Sequence, residues 1–269
     1  MFLACLVAVE AVLALLPRLY GPDAAPSQGD FVLCLGDSVT AGVGLGIGQS
    51  WPERLEDALD VPVARHAIPG ARIAFAAEEG AAWLDEVPAG SRPTVLVMLG
   101  HNDEVRFEPG SGDRLRKHRF EELGTTTSGW RGPRLFRLLR WATTDGSVDR
   151  AGADWLREAW ATHLPVLVDA VEALGGEVVL MTYLVPGTPE VLEADAAALV
   201  DEVRLGQAVV NASIRHAARD QGLGLIDLEA GVPVGEAWNT EEWLDHIHPS
   251  AALTRRMADE VVDHLGRGE

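Results

Sequence analysis

Short apolar runs alternate with helix-forming segments along most of this chain, and that alternation limits the possible folds more than any other feature. The runs have the length of buried strands and cover residues 30–35, 61–66, 94–99, 177–183 and 223–227. The segments that follow them have helical character and cover residues 51–59, 71–85, 151–174, 190–221 and 250–265. Strands that alternate with helices form parallel sheets, because each helix carries the chain back to the starting edge. The sequence therefore predicts an α/β fold with a five-stranded, mainly parallel sheet.

The composition is that of one acidic globular domain with additional segments. The chain has 269 residues, of which 47% are apolar, enough for one α/β core. The formal net charge of -19 argues against nucleic acid as a partner, since phosphate contacts need a basic surface. The two cysteines, Cys5 in the N-terminal apolar run and Cys34 in the first strand, exclude a disulfide-stapled scaffold.

Residues 1–29 are predicted to be an N-terminal apolar segment and linker ahead of the main domain at 30–269. The apolar run 2–16 contains Glu10 and is short for a membrane span, which needs about 20 residues. It also lacks the basic start of a secretory signal. Three interpretations stay open: an anchor or signal, a helix packed on the domain, and a helix lying on a membrane surface.

An insertion at about 106–147 interrupts the alternation of strands and helices. Loops of this length inside a domain are usually functional or disordered. From Arg114 to Arg140 the segment carries eight basic and two acidic residues, in contrast to the acidic chain. Residues 133–141 have the pattern of an amphipathic helix. This helix either packs on the domain with its arginines in solvent, or caps a site and binds acyl chains, an anionic substrate or a membrane surface.

The block Gly36-Asp37-Ser38-Val39 follows the first apolar run and places a serine where a nucleophile is useful. The strand makes the position rigid, and the turn exposes the hydroxyl at the carboxyl end of the strand. Open α/β sheets bind their ligands at that edge. An ordinary loop is the alternative for this block taken alone.

A second block, Asp245-His246-Ile247-His248-Pro249, lies near the other end of the chain. Acyl transfer by serine needs a base for the hydroxyl proton, and a carboxylate that fixes the tautomer of that base. Asp245 stands three residues before His248 and can serve as that carboxylate. The alternative is that Asp245 caps a turn and His248 is a surface residue.

Two further blocks follow predicted strands. Asn102 in Gly100-His101-Asn102-Asp103 offers a neutral amide donor for a developing oxyanion, or else caps a helix. Gly70 follows the strand at 61–66 and leaves its backbone N–H free to point at a ligand, or else forms a plain turn.

These four signals, in this order and each at the end of a strand, resemble the SGNH hydrolase superfamily, also called GDSL-type esterases and lipases. The matching residues are Ser38, Gly70, Asn102 and His248, with Asp245 beside the histidine. The resemblance extends over about residues 30–265. It implies a three-layer α/β/α sandwich of the flavodoxin-like type.

The resemblance also implies roles for these residues. Ser38 is the nucleophile, His248 is the base that later protonates the leaving group, and Asp245 orients His248. The oxyanion hole consists of the backbone N–H groups of Ser38 and Gly70 and the side-chain amide of Asn102. The expected substrate is a small-molecule, lipid or acylated-glycan ester, and no metal or cofactor is required. Many relatives are exported, which favours the cell envelope and membrane association through residues 2–16.

Polar neighbours of these residues are predicted to have structural roles. Asp37 and Asp103 are expected to hold turns by hydrogen bonds. His246 is expected to be a neighbour of the base, because no aspartate stands three residues before it. His101 either lines the pocket or is structural.

Other chemistries are possible with the same residues. A metal-dependent phosphoesterase would use oxygen and nitrogen ligands such as His66, His101 and Asp103, but its Asp-x-His motif is missing because Ser38 and Val39 follow Asp37. An acyltransferase would use the same triad to pass an acyl group to a sugar hydroxyl. A binding module without activity is the third alternative.

Overall fold

The computed structural model describes residues 23–26, 29–106, 149–150, 153–188 and 194–266. The strands are β1 (Asp30–Gly36), β2 (Val63–Ala67), β3 (Arg92–Met98), β4 (Val105–Arg106), β5 (Asp149–Arg150), β6 (Glu177–Met181) and β7 (Gly224–Ile226). Five of them form one parallel sheet in the order β2-β1-β3-β6-β7. The predicted five-stranded sheet is confirmed, with strand ends that differ by a few residues, and its order is that of flavodoxin-like folds.

The register of β1 with its two neighbours brings three strand ends to one level. Gly36 pairs with Ala67 at the end of β2 and with Met98 at the end of β3. Parallel strands share the edge at which they end, so the loops that follow β1, β2 and β3 lie side by side. The predicted serine, glycine and asparagine blocks stand on these three loops.

The helices surround this sheet. They are α1 (Ser38–Ala41), α2 (Trp51–Ala58), α3 (Ala81–Leu84), α4 (His101–Glu104), α5 (Ala153–Ala173), α6 (Ala194–Gln221), α7 (Leu228–Gly231) and α8 (Ala251–Gly266), and a π-helical turn at Ala76–Gly80 precedes α3. They pack in two groups: α2 against α8, and α5 against α6 and the π-helical turn. Two groups are what a three-layer sandwich requires, with one on each face of the sheet.

The core consists of side chains from the sheet and from both helix groups. The side chains of Phe31 to Leu35 on β1 are buried, as expected for an interior strand covered on both faces. Trp51 on α2 and Trp160 on α5 are among the largest fully buried side chains. Burial of these aromatic and aliphatic groups is the main favourable contribution to folding.

One helix begins later than the sequence predicts. The predicted helix at 71–85 is helical only from Ala74, and its π-helical turn begins at Ala76. The carboxylate of Asp103 accepts a hydrogen bond of 2.8 Å from the N–H of Ile73 and holds the preceding residues in a turn. Asp103 lies 30 residues further along the chain, so the helix propensity of residues 71–85 could not predict this contact.

The predicted insertion is bracketed by a two-stranded ribbon, since β4 pairs with β5 in antiparallel fashion. Residues 107–147, with the predicted amphipathic helix, and the apolar run 2–16 lie outside the described residues. Within the described ranges, none of the helices is both long enough and apolar enough to cross a membrane.

Gly36→Ala is expected to lower the free energy of unfolding by about 1–3 kcal/mol. A methyl group there would lie 2.1 Å from Oγ1 of Thr40 and 3.0 Å from the carbonyl oxygen of Met98. Thr40 is fully buried and has no room to retreat. Equilibrium denaturation measures the loss. Gly266→Ala is the control, because a methyl group there meets nothing within 4 Å. Equal unfolding midpoints for the two variants would contradict this account.

Candidate active site

Ser38 is the first residue of a one-turn helix at the carboxyl end of β1, an interior strand of the sheet. Asp37 caps this helix: its Oδ1 accepts a hydrogen bond of 3.0 Å from the N–H of Val39. Gly42 ends the helix in the left-handed conformation, with φ of 74°. The short helix fixes the backbone on both sides of Ser38 and directs its hydroxyl toward the loop that carries His248.

His248 lies within hydrogen-bond distance of Ser38, although 210 positions separate the two residues in the chain. The imidazole Nε2 is 3.0 Å from Ser38 Oγ. The other ring nitrogen, Nδ1, is 2.7 Å from Oδ2 of Asp245. Since the carboxylate can only accept, Nδ1 carries the proton and Nε2 is left to accept the serine hydroxyl. The three side chains therefore form a continuous hydrogen-bonded chain from Asp245 to Ser38.

Asp245 is held as a charged acceptor. Its Oδ1 accepts hydrogen bonds from the N–H groups of Ile247 at 2.7 Å and His248 at 2.8 Å. Partial burial acts to raise the pKa of Asp245, but these bonds and the bond from the His248 ring outweigh it and hold the pKa below its ordinary value. An ionised carboxylate at this distance from Nδ1 is able to orient an imidazole and to stabilise its imidazolium form.

The loop that carries Asp245 and His248 is anchored in the domain on both sides. Trp243 is buried in the core, and Leu244 donates its N–H to the carbonyl of His248 at 2.9 Å. Arg256 on α8 contacts Glu242 at 2.6 Å. These contacts attach the loop to the core and to α8.

Gly70 lies on the loop after β2, next to the loop of Ser38. Its φ of 84° is in the left-handed region, which glycine enters without strain. The preceding Ile68 donates its N–H to the carbonyl of Gly36 at 3.1 Å and ties the two loops together. Within the described residues, the N–H groups of Ser38 and Gly70 donate to no protein acceptor. Both are available to a ligand oxygen.

The side chain of Asn102 lies between the loops of Asp37 and Gly70. Its Nδ2 donates to Oδ2 of Asp37 at 3.1 Å and to the carbonyl of Ala71 at 2.9 Å. An amide nitrogen has two hydrogens, so both are engaged in this arrangement. Donation to an oxyanion would therefore share one of these hydrogens or release it from its acceptor.

Asp37 is a buried acid directly before Ser38. Its side chain has 0% exposure, and its Oδ2 also accepts a hydrogen bond of 2.8 Å from the hydroxyl of Tyr183. Burial raises the pKa of Asp37 to about 6, although the hydrogen bonds from Val39 and Tyr183 and the nearby His248 act to lower it. The prediction that Asp37 holds the turn is confirmed by its bond to Val39.

Tyr183 is a residue of this site that sequence reasoning missed. It follows β6 at the same sheet edge as Ser38 and is almost fully buried. Its position after a strand, among apolar residues, is the only signal that the sequence offers for it.

The remaining predicted neighbours have the places expected of structural residues. Asp103 holds the turn at Ile73, as predicted. The ring of His101 packs beside that of Tyr183, with centroids 5.9 Å apart. His248, and not His246, contacts Ser38. In the described part of the chain, no group of three or more His, Cys, Asp or Glu side chains could hold a metal ion.

Comparisons with solved structures reveal the same fold in several proteins. A member of the lipolytic G-D-S-L family from Veillonella parvula is 12% identical with a TM-score of 0.52, over 87% of this chain and 97% of that one. Phospholipase A1 from Streptomyces albidoflavus is 15% identical with a TM-score of 0.52, over 88% and 99%. A variant of an acetyl-xylooligosaccharide esterase from Geobacillus stearmophilus is 16% identical with a TM-score of 0.51, over 89% and 95%.

Sequence comparison identifies the family. No curated protein matches the chain. The model of the GDSL-like lipase/acylhydrolase family matches residues 34–256, which include every predicted site residue from Ser38 to His248. The chain therefore belongs to the GDSL-like lipase/acylhydrolase family, the ester hydrolases that its four motifs resemble.

Proposed function

We propose that this chain is a serine-dependent carboxylic ester hydrolase that works through an acyl-enzyme on Ser38. One observation carries the proposal: His248 Nε2 is 3.0 Å from Ser38 Oγ while its Nδ1 is 2.7 Å from the carboxylate of Asp245. This is the contact pattern of an activated serine, in which the base touches the nucleophile and is itself oriented by a third group.

Acylation begins when Ser38 Oγ attacks the ester carbonyl carbon and its proton passes to His248 Nε2. The carbonyl oxygen becomes an oxyanion in the tetrahedral intermediate. When the intermediate collapses, the bond to the alcohol oxygen breaks and that oxygen takes the proton from His248. Asp245 remains ionised and stabilises the imidazolium between these two transfers.

Deacylation repeats the same steps with water. His248 takes a proton from a water molecule, whose oxygen attacks the acyl carbon. The second intermediate collapses with release of the carboxylic acid, and His248 returns the proton to Ser38 Oγ. No metal or cofactor takes part in either half of this scheme.

The oxyanion is assigned to three donors around Ser38. The backbone N–H groups of Ser38 and Gly70 have no protein acceptor among the described residues, which supports their assignment. The Asn102 amide is the third donor and would contribute by sharing a hydrogen now bound to Asp37 or Ala71. Donors that are fixed in advance lose little freedom as the negative charge develops.

The substrate class is a carboxylic ester of a small molecule, a lipid or an acylated glycan. The names of structurally similar proteins include both a phospholipase and an acetyl-xylooligosaccharide esterase, which supports the ester bond as the common feature. Transfer of the acyl group to a sugar hydroxyl would use the same residues. Acetate release measured with and without a sugar acceptor distinguishes the two reactions. The cell-envelope location and membrane association through residues 2–16 remain predictions.

Ser38→Ala and His248→Ala are each expected to lower kcat by roughly 10³–10⁶-fold, because either change removes the activated nucleophile. Hydrolysis of p-nitrophenyl acetate measures this loss. A fluorophosphonate probe should label Ser38 in the unaltered protein, as shown by peptide mapping.

His246→Ala is the matched control for His248→Ala, since it removes a histidine from the same loop that does not contact Ser38. It is expected to keep kcat within about threefold. If Ser38→Ala kept more than about a tenth of the activity, the acyl-enzyme scheme would be wrong.

Asn102→Ala is expected to lower kcat by about 10²–10³-fold with little change in KM, because an oxyanion donor acts in the transition state. The unfolding midpoint is measured alongside, since the change also removes the bonds to Asp37 and Ala71. A loss below about tenfold in a folded variant would remove Asn102 from this role.

Excess EDTA is expected to leave the rate of ester hydrolysis unchanged, because the proposed steps use only side chains and backbone groups. The measurement is the rate before and after extended dialysis against the chelator. A loss of activity that is restored by a divalent cation would favour the metal-dependent alternative.

A further inference from the structure

A buried hydrogen-bond cluster lies beneath the proposed nucleophile and is not used in the steps above. Asp37 is at its centre and accepts from three donors: Tyr183 Oη at 2.8 Å, Asn102 Nδ2 at 3.1 Å and Val39 N at 3.0 Å. Asp37 and Tyr183 have exposures of 0% and 1%. A buried carboxylate is stable only if it is well supplied with hydrogen bonds, so each donor matters.

Tyr183 is itself held firmly. The side chain of Asn211 on α6 accepts from the N–H of Tyr183 and donates to its carbonyl, with both bonds at 2.8 Å. Asn211 also donates to Glu229 at 3.0 Å, and Arg215 donates to the same carboxylate at 2.6 Å. The hydroxyl of Tyr183 is therefore presented to Asp37 from a backbone that has little freedom.

The charge of Asp37 bears on the orientation of the Asn102 amide. With Nδ2 toward Asp37 and the Ala71 carbonyl, the amide donates to two acceptors. If the amide were flipped, its oxygen would face two acceptor oxygens, which is unfavourable. A protonated Asp37 could donate to that oxygen and would weaken the preference.

We propose that Tyr183 is a positioning residue of the ester-cleaving site: its hydroxyl maintains Asp37 as the acceptor that orients the Asn102 amide and the turn of Ser38. Tyr183 acts through Asp37 and does not contact the substrate. The inference rests on the proposed function, because it assigns a role in the oxyanion hole that the function requires.

Loss of the Tyr183 hydroxyl is expected to raise the pKa of Asp37. Burial raises the pKa of Asp37 to about 6, and the hydrogen bond from Tyr183 acts to lower it. His248 also lowers it, while Asp103 and the N–H of His101 act on Tyr183 itself. Without the hydroxyl, the pKa of Asp37 rises further, and the ionised form is lost at a higher pH.

The test is Tyr183→Phe, which keeps the buried ring and removes one hydroxyl. The expected result with p-nitrophenyl acetate is a decrease in kcat of about tenfold with KM within about twofold. The acid limb of the pH profile of kcat should move to higher pH by about one pH unit. Ser213→Ala is the matched control, because it removes another buried, hydrogen-bonded hydroxyl, which Trp160 contacts at 3.3 Å, and leaves Asp37 untouched.

A double-mutant cycle shows whether Tyr183 acts through Asp37. In an Asp37→Asn background, Tyr183→Phe should change kcat by less than about twofold and leave the acid limb in place, since no carboxylate remains to titrate. An unchanged pH profile for Tyr183→Phe, or equal effects in both backgrounds, would overturn the inference.

Labelling with the fluorophosphonate probe separates this inference from the proposed function. If the probe labels Ser38 and Tyr183→Phe behaves like Ser213→Ala, only the positioning role is wrong. If Ser38 is not labelled and Ser38→Ala keeps its activity, the proposed function itself is wrong.

Discussion

Pairing of β1 with β2 on one side and with β3 on the other fixes the relative positions of the loops that carry Ser38, Gly70 and Asn102. Gly36, Ala67 and Met98 end these strands at one level. The loops of Ser38, Gly70 and Asn102 then start from the same edge. Because they lie side by side, they are close enough to form hydrogen bonds with one another. A slip of one residue in any of the three strands would separate these loops and also turn buried side chains toward the wrong face.

The site also depends on the buried carboxylate of Asp37, whose ionised form is costly to remove from water. A buried carboxyl group without hydrogen-bond donors stays protonated, and the raised pKa of Asp37 reflects this effect of burial. Three donors from three parts of the chain offset the cost. In return, one acceptor connects the cap of the Ser38 helix with the amide of Asn102. Burial of this carboxylate lowers the stability of the folded protein, but it fixes the arrangement of donors around the serine.

The hydrogen-bonded chain to Ser38 is completed by a loop from a distant part of the sequence, just ahead of α8. Asp245 accepts hydrogen bonds from two backbone N–H groups of its own loop and from the imidazole of His248, so the acid and the base form one local unit. Buried Trp243 and the contact of Arg256 with Glu242 attach that unit to the core and to α8. The 3.0 Å contact with Ser38 is then decided by how α8 packs on α2 and the sheet.

The sequence alone determined the element order, the parallel sheet and the local pairs of residues. Apolar runs bounded by glycine identify β1, β3 and β6, because a strand buried on both faces of a sheet needs apolar side chains along its whole length. The spacing of Asp245 and His248 is enough to predict a turn that carries both an acid and a base. The late start of the helix after Ala71 and the role of Tyr183 were not predictable in this way. Both depend on hydrogen bonds between residues far apart in the chain, which Ile73 donates to Asp103 and Tyr183 donates to Asp37. Only the tertiary structure decides such contacts, because strand register and helix packing, and not local propensity, set which distant polar groups meet in the same buried space.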